Sequence, residues 1–388
     1  MRPNPELAQA LSEARVQTDR LFEVVRANAL YERPIPERHR IIFYIGHLEA
    51  FDWNLFGRAV DLPKSNPEFD QLFSFGIDPG SDDLPTDQPS DWPHIDEVRK
   101  YNANVREALD AILLEVPEQY LHVAIEHRLM HAETFAYMLH NLAFEHKVPQ
   151  PEAAAHSGPP QQTGTVEIKG GTAILGRKRG NGFGWDNEFD QVRCVVPAFT
   201  IGSHKVTNRD YLEFVRQGAA APHFWMCRNG DWFYRGMFQD IPLPLDWPVY
   251  VSQLEAREYA AWKGKSLPSE AQFQRAAYGN GPTDLAGENV DFRHWDPVPV
   301  TSGTPNGFGV SQMVGNGWEW TATKFAPFPG FEPFPFYPGY SANFFDGEHY
   351  VLKGGSPRTA ACMLRPSFRN WFRPTYPYVY ATFRLVEN

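Results

Sequence analysis

Three histidines in two apolar, helix-forming segments could together bind a metal ion. His127 and His131 lie four residues apart in "AIEHRLMHAETFAYMLH", and His47 lies in "YIGHLEAFDW". A helix turns by about 100° per residue, so side chains four residues apart differ in direction by only about 40°. That pair alone fits either metal ligation or the packing of buried histidines. His47 favours metal ligation, because an unpaired imidazole is costly to bury among apolar neighbours.

The acidic residue next to this pair is predicted to stay outside the metal site. Glu133 gives a His-x-Glu pattern with His131, but residues two apart in a helix diverge by about 200°. We therefore expect Glu133 to contact a ligand side chain or a neighbouring helix. Three neutral imidazoles leave the charge of a divalent ion undiminished and about three coordination positions open. Zinc hydrolases, thiol transferases and non-heme iron oxygenases can all use such a site.

The segments that carry these histidines belong to a helical first half. Apolar residues at helical spacing predict a helix over roughly residues 7–25, a second from near Pro36, a third after "DWPHIDEV" and a fourth from near Pro117. We therefore predict a four-helix bundle for residues 1–150, in which facing helices supply the metal ligands. A long loop joins the second and third helices, and loops of that length are more often functional than structureless.

The second half follows a different pattern. Residues 151–165 are rich in proline, alanine and small polar residues and are predicted to be a linker. From residue 166 to 388, short β-type runs such as "VRCVVPAFTIG" and "HYVLKGG" alternate with glycine, proline and tryptophan. Two helical pieces, "NRDYLEFVRQ" and "QLEAREYAAWKG", interrupt them. We therefore predict a multidomain chain whose second domain is α+β with much irregular backbone.

Composition and charge limit the partners. The 388 residues carry a net charge of −11, which argues against nucleic acid and against an anionic membrane surface. The three cysteines show no CxxC spacing and fit buried thiols in a reducing compartment. The first residues lack the apolar core of a signal peptide, and no run reaches about 18 apolar residues. We expect a cytoplasmic protein that acts on small molecules, and the sequence leaves a homo-oligomer open.

Longer motifs of the second half resemble the formylglycine-generating-enzyme (sulfatase-modifying factor) fold, a variant of the C-type lectin fold. The motifs are "WPVYVSQLEAREYAAWKGKSLPSEAQFQRAAYG", "VGNGWEWTATKFAPFPGF" and "VLKGGSPRTAACMLRPSFRNWFRPTYPYVYATFRL". Joined to a DinB-like bundle that carries His47, His127 and His131, they resemble the ergothioneine-pathway sulfoxide synthases over nearly the whole chain. The segments "FAPFPGFEPFPFYPGYSANFFDG" and "RNWFRPTYPYVYATFRL" are similar to the bacterial subtype that uses cysteine directly.

The resemblance implies a chemistry that depends on iron(II) and O2. In this family a thiol sulfur is joined to the imidazole C2 of hercynine (trimethylhistidine) and is oxidised to a sulfoxide. The three histidines then become the iron ligands, and a bound thiolate offsets the charge that they leave uncompensated. Whether structural calcium also sits in the second domain is left open.

The resemblance also assigns substrate-binding residues to the second domain. Asn370 and Trp371 in "RNWF" match the positions that hold hercynine. A tryptophan face attracts a quaternary ammonium, although Trp371 could equally serve packing in a tryptophan-rich fold. A tyrosine that donates a proton or an electron is a further family feature. Our candidates are Tyr337 and Tyr340 in "FYPGYS".

Three further tyrosines compete with these two candidates: Tyr376, Tyr378 and Tyr380.

Two departures from the family pattern favour free cysteine as the thiol substrate. Relatives that use γ-glutamylcysteine carry arginines in the long loop and an aspartate after the Asn-Trp pair. Here the loop reads "GSDDLPTDQPSDW" and Phe372 follows the pair. A glutamyl carboxylate would be repelled by Asp82, Asp83 and Asp87. We expect an aspartate of this loop to pair with the cysteine amino group, and Arg373 to pair with its carboxylate.

Other functions stay open at the sequence level. Related enzymes of the same fold and metal make the 5-linked histidyl-cysteine sulfoxide of the ovothiol pathway or the selenium counterpart. A metal-dependent thiol transferase is a different enzyme class that DinB-like bundles support. Formylglycine generation needs paired cysteines, which the spacing does not offer. A lectin-like binding protein without catalysis would require all three histidines to be incidental.

Overall fold

The computed structural model describes residues 4–62, 65–74, 84–150, 164–281 and 285–387. The chain divides into two compact units, residues 1–150 and 151–388. The predicted substrate residues Asp82 and Asp83, and most of the predicted linker, lie outside the described residues.

Within its described residues, the first unit is a bundle of four long α-helices, with one short α-helix in the loop between the second and third. The helices are α1 (Pro5–Phe22), α2 (Ile41–Phe56), α3 (Pro67–Leu72), α4 (Ile95–Asp110) and α5 (Glu118–Asn141). Helix α1 packs on α5, and α2 packs on both α4 and α5. Helices α2 and α5 are therefore neighbours, as a metal site shared between them requires.

Local sequence signals set most of the helix ends. Asn4 caps α1 by accepting a hydrogen bond from the backbone of Leu7, and Pro5 occupies the first helical turn. His94 and Glu97 form a capping box at α4. Pro117 directly precedes α5, at a position where a missing backbone N–H costs nothing.

The start of α2 was predicted too early. The helix begins at Ile41 rather than near Pro36, because residues 35–38 form a turn in which Arg38 N donates to Ile35 O. The first helical N–H groups then find acceptors in the preceding connection: Ile41 N donates to Glu32 O and Ile42 N to Leu30 O.

The part of the second unit that the structure describes forms four small sheets. Its strands are β1 (Thr165–Ile168), β2 (Gly171–Leu175), β3 (Val192–Val196), β4 (Phe199–Gly202), β5 (Trp225–Arg228), β6 (Asp231–Arg235), β7 (Asp240–Pro242), β8 (Trp318–Lys324), β9 (Tyr350–Lys353), β10 (Asn370–Phe372), β11 (Ala381–Thr382) and β12 (Val386–Glu387). The sheet orders are β1-β4-β12, β2-β3, β5-β6-β7 and β10-β9-β8-β11. Only the β8–β11 pairing is parallel among the described strands.

The described residues of this unit also form three α-helices: α6 (Asn208–Arg216), α7 (Gln253–Trp262) and α8 (Glu270–Tyr278). Each begins with a capping box, at Thr207, Ser252 and Ser269 respectively. Helix α8 lies against β2 and contributes Phe273 to an apolar core shared with β1, β2, β3, β4 and β12.

The predicted fold class, a helical bundle followed by an α+β domain, is confirmed. Helix α8 and the β5-β6-β7 sheet were not predicted. Within the described ranges, every helix is too short or too polar to traverse a bilayer.

Candidate active site

The structure brings His47, His127 and His131 together inside the bundle. His47 is on α2 and the other two are on α5, and each is at most 5% exposed. One nitrogen of each ring lies within 4.8 Å of the corresponding nitrogen of the others. Among the described residues, this is the one group of three or more histidine, cysteine or acidic side chains whose donor atoms converge in this way.

The ring of His47 has a defined orientation. Its Nδ1 lies 2.6 Å from the backbone oxygen of Phe73, the residue that follows α3. A carbonyl oxygen can only accept, so Nδ1 carries the proton and Nε2 keeps the lone pair. Nε2 is buried and has no hydrogen-bond partner within the described part of the chain. His47 therefore offers Nε2 as a donor atom, oriented as metal-bound histidines usually are.

Two of the three rings also stack on phenylalanine side chains. Phe51 stacks on His127 with ring centroids 3.4 Å apart, and Phe43 stacks on His47 at 4.8 Å. These contacts restrict rotation of the imidazoles before any ligand binds.

All three histidines are neutral at physiological pH. Burial lowers the pKa of His47 to about 4, although the hydrogen bond to Phe73 opposes the shift. Burial also lowers the pKa values of His127 and His131 well below the usual value, and the neighbouring histidines add to the effect. Neutral rings keep a lone pair for a metal, since protonated imidazole cannot coordinate.

The donor set fits a divalent transition metal. His127 Nε2 and His131 Nε2 are 3.1 Å apart. Two nitrogens bound at about 2.1 Å and at right angles around one ion would lie about 3.0 Å apart. Glu133 is buried on α5 but is not part of the converging group, so the donors are three neutral nitrogens. Imidazole suits zinc, copper, iron and nickel, and excludes a site built for magnesium or calcium.

A buried group of charges, which sequence reasoning missed, joins α2 to α5 beside the histidines. Arg128 donates to Glu49 at 3.0 Å, to Asp52 at 2.7 Å and to Leu48 O at 3.1 Å. The three charged side chains are at most 1% exposed. From α4, Arg106 also donates to Glu49 at 2.7 Å. The available signal was the presence of Glu49, Asp52 and Arg128 in otherwise apolar helices.

The charges in this group are coupled. Burial would raise the pKa of Glu49, but Arg128 and Arg106 hold it at about 2. Burial raises the pKa of Asp52 despite its contact with Arg128. The guanidinium is thus matched by at least one ionised carboxylate, which a buried cation requires.

In the second unit, Asn370 and Trp371 lie on β10, at the edge of the β10-β9-β8-β11 sheet. Trp371 is half-buried and stacks on Phe325 with centroids 4.3 Å apart. Tyr340 meets it edge-on at 5.4 Å, and Phe344 lies at 5.6 Å. Asn370 Oδ1 accepts from Trp371 N at 2.9 Å, and Nδ2 is the hydrogen-bond donor of the same side chain.

Both tyrosine candidates lie in this aromatic cluster. Tyr340 stacks on Trp185 at 3.8 Å, and Tyr337 lies 5.7 Å from Tyr340. Burial and the carboxylate of Asp186 raise the pKa of Tyr337 to about 12. The contact between Tyr340 and Trp371 makes Tyr340 the nearer of the two to the predicted hercynine position.

The competing tyrosines have other surroundings. Tyr376 stacks on Phe372 at 5.3 Å and meets Tyr378 edge-on, whereas Tyr380 is buried and stacks on Tyr250. The contacts of Tyr380 are those of a core residue.

Asp186 is a further residue that sequence reasoning missed. Its carboxylate is 1% exposed and accepts from Ser341 Oγ at 2.6 Å, directly after Tyr340. Burial raises the pKa of Asp186 to about 6, while the hydrogen bond from Ser341 and backbone N–H groups of Asn187 and Phe334 oppose the shift. Hydrogen bonds from Phe334 and Ser341 to Asp186 therefore hold both ends of the segment that carries Tyr337 and Tyr340.

The remaining residues predicted for cysteine binding are only partly described. Arg373 is exposed, directly after β10. Asp87 was treated as a free negative charge, and that reading was wrong. Its carboxylate pairs with Arg33 and Arg40 and accepts from Trp92 Nε1 at 2.8 Å. These arginines come from the connection before α2, so the loop sequence alone could not show them.

Cys194, Cys227 and Cys362 form no disulfide with one another, but the prediction of buried thiols was wrong, because Cys227 and Cys362 are exposed and Cys194 is only partly buried.

Comparison with known proteins matches both units. Residues 150–388 match the sulfatase-modifying factor enzyme 1-like domain, and residues 10–146 match the DinB superfamily. The chain is 31% identical to a hercynine oxygenase of Mycolicibacterium smegmatis, over 98% of this chain and 98% of that protein. It is 26% identical to ergothioneine biosynthesis protein 1 of Neurospora crassa, over 92% of this chain and 55% of the fungal protein.

This chain therefore spans about half the length of the fungal relative and nearly all of the mycobacterial one. Among solved structures, PvdO from Pseudomonas aeruginosa matches with a TM-score of 0.45 and 20% identity, over 59% of this chain and 99% of that protein.

Proposed function

Since this chain belongs to the hercynine oxygenase family and carries the sulfatase-modifying factor enzyme 1-like domain, we propose that it joins cysteine to hercynine with iron(II) as its metal and O2 as the oxidant. The new bond links the cysteine sulfur to C2 of the imidazole, and the S–H and C2–H hydrogens are lost. The sulfur also gains one oxygen atom. One O2 accepts the four electrons, giving the sulfoxide oxygen and one molecule of water.

The observation that carries this proposal is the buried cluster of His47, His127 and His131, whose donor nitrogens lie within 4.8 Å of one another. These residues hold iron(II) through neutral nitrogens. When bound, the metal supplies positions for a thiolate and O2 and the capacity to exchange electrons between them. The apolar surroundings of the histidines exclude bulk water from these positions.

Residues of the second unit bind hercynine in this proposal. The face of Trp371 attracts the trimethylammonium group, which is a permanent cation without a donor hydrogen. Asn370 donates from Nδ2 to the substrate carboxylate, because its Oδ1 is already bonded to Trp371 N. Tyr340, which contacts Trp371, supplies a proton or an electron during turnover, and Tyr337 is the alternative donor.

Cysteine remains the proposed thiol substrate, although fewer residues support this choice than the sequence analysis named. Arg373 binds its carboxylate, and an aspartate among Asp82 and Asp83 binds its amino group. Asp87 no longer contributes to this argument, because two arginines neutralise it.

The test is an anaerobic reconstitution followed by exposure to air. The full chain is loaded with iron(II), mixed with hercynine and cysteine, and analysed by mass spectrometry after O2 is admitted. We expect a conjugate with the mass of a sulfoxide, formed only with metal and O2. His127→Ala should abolish it, whereas His122→Ala, on the same helix but outside the cluster, should not.

Each alternative function has its own outcome in this assay. Product with histidine but not with hercynine would identify the 5-linked sulfoxide synthase. Product from γ-glutamylcysteine in preference to cysteine would overturn the assignment of the thiol, and a preference for a selenium donor would identify the selenium counterpart. Thiol transfer without O2 would place the chain among the metal-dependent transferases. Binding of hercynine without any turnover would leave only a binding protein.

A further inference from the structure

A glycine on α2 allows an unusually close approach of the loop that follows it. A Cβ atom added at Gly46 would lie only 2.6–2.7 Å from three ring carbons of Phe73. Real Cβ atoms do not approach other atoms that closely, so any side chain at position 46 would force Phe73 to move. The ring of Phe73 therefore lies directly on the backbone of α2, next to His47.

Phe73 cannot move away easily, because it is fully buried among other aromatic rings. Trp92 and Tyr101 stack with it at centroid distances of 6.1 and 6.2 Å, and Phe69 meets it edge-on at 5.6 Å. A displaced ring would have to separate several of these contacts at once.

The rest of the α3 segment, residues 67–74, is hydrogen-bonded to both α2 and α4. Asn54 on α2 donates to Asp70 O at 3.0 Å, and Tyr101 on α4 donates to the Asp70 carboxylate at 2.7 Å. At its start, Asn66 caps α3 by accepting from Phe69 N at 3.2 Å. The position of Phe73 O is thus fixed by α2 and α4 rather than by the loop alone.

We propose that the α3 segment is a positioning element for the metal centre: seated against Gly46, it holds Phe73 O where it fixes the tautomer and ring orientation of His47. This inference rests on the proposed metal site. A neutral imidazole can carry its proton on either nitrogen, and only the Nδ1–H form leaves Nε2 able to bind a metal. The 2.6 Å contact selects that form.

The first experiment measures the tautomer of His47 in the metal-free full chain. Two-bond 1H–15N correlations of the histidine rings, assigned to His47 by comparison with a His47→Ala sample, show which nitrogen carries the proton. We expect Nδ1–H and an unprotonated Nε2. A proton on Nε2 of His47 would overturn the proposal by itself, without any variant of the α3 contact having to fold.

The second experiment measures anaerobic affinity for cobalt(II) and iron(II) in Gly46→Ala. The displaced Phe73 should weaken both affinities by about 10- to 100-fold, the usual cost of losing such an outer partner, and populate the other tautomer. Gly57→Ala is the matched control, because Gly57 ends the same helix with a right-handed φ of −61° and is exposed. Gly57→Ala should change neither the metal affinities nor the tautomer of His47.

A paired variant separates positioning from simple loss of stability. Gly46→Ala with Phe73→Leu removes the clash by shortening the side chain while keeping the backbone carbonyl, so it should recover the Nδ1–H tautomer and most of the metal affinity. Unchanged affinity and tautomer in Gly46→Ala would overturn the proposal. Failure of the unaltered protein to bind either metal would instead overturn the proposed function, and the tautomer would still be readable.

Discussion

At the residue scale, burying three imidazoles costs little free energy as long as the rings are neutral. Burial removes a histidine cation from water and neighbouring positive charges repel it, so the pKa values of His47, His127 and His131 fall. The same neutrality is what a metal ligand needs. Stability in acid and metal binding therefore depend on the same protonation equilibria.

The metal-free protein should lose stability as the pH falls from about 6.5 towards 4. The folded pKa of His47 is about 4 and lies below the unfolded value, so the unfolded chain binds more protons in this window. Stability is full above the unfolded pKa and declines as acid is added, by up to about 3 kcal/mol for His47 alone. Urea unfolding at several pH values measures this.

His47→Leu is the comparison for that prediction. Leucine does not titrate, so the pH slope between 6.5 and 4 should decrease by about one proton, equivalent to ~1.4 kcal/mol per pH unit. Equal slopes in the two proteins would show that His47 is not buried in neutral form.

Trp371→Leu should raise the KM for hercynine with a smaller effect on the KM for cysteine. A cation over an aromatic face is worth about 0.5–2 kcal/mol, which corresponds to roughly 2- to 30-fold in binding. Trp262→Leu, at a 40% exposed tryptophan on α7, is the matched control and should leave both KM values unchanged. A loss of kcat at unchanged KM would assign Trp371 to packing instead.

Sequence reasoning reached the histidines because their spacing and apolar surroundings are local properties. The helical repeat predicts that the side chains of His127 and His131 point in similar directions, and in the structure their Nε2 atoms are 3.1 Å apart. The role of Asp186 could not be predicted, because its hydrogen-bond partner, Ser341, is 155 residues away in the sequence. The same limit applies to Asp87, whose arginine partners precede α2.

At the element scale, the relative position of α2 and α5 determines whether the histidines converge. Arg128 on α5 reaches three groups on α2, and Arg106 connects α4 to the same carboxylate of Glu49 and to Asp19 on α1. Periodicity predicted the four helices but not which of them would be neighbours. That information lies in pairings such as Arg128 with Glu49, 79 residues apart.

Arg128→Met should destabilise the bundle by about 3–5 kcal/mol, because it leaves Glu49 and Asp52 buried with less compensating charge. Arg99→Met is the control, since Arg99 makes an exposed ion pair with Asp96 on α4 that is worth at most about 1 kcal/mol. Denaturant unfolding followed by circular dichroism compares the two. A loss below about 1 kcal/mol for Arg128→Met would mean that packing, not the charges, sets the position of α5.

At the scale of the whole molecule, the chain forms two compact units, and the candidate site residues are distributed over both. The change from helical periodicity to short β-type runs near residue 150 predicted two domains, and the chain divides at that point. The sheet order of the second unit was not predictable, because β8 pairs with β9 and β11, which come from distant parts of the sequence. All three metal-binding candidates belong to the first unit, and the aromatic cluster around Trp371 belongs to the second.

This division makes metal binding a selective probe of the first unit. Iron(II) at 100 times its dissociation constant should stabilise the bundle by about 2.7 kcal/mol, because only the folded bundle assembles the three donors. For a unit of about 150 residues this corresponds to an increase in Tm of roughly 5–10 °C. Anaerobic calorimetry should show two transitions, of which only the helical one moves. Magnesium, which prefers oxygen ligands, should move neither. If both transitions rise together with iron(II), the donors must come from both units, and the assignment of the metal centre to His47, His127 and His131 alone would be wrong.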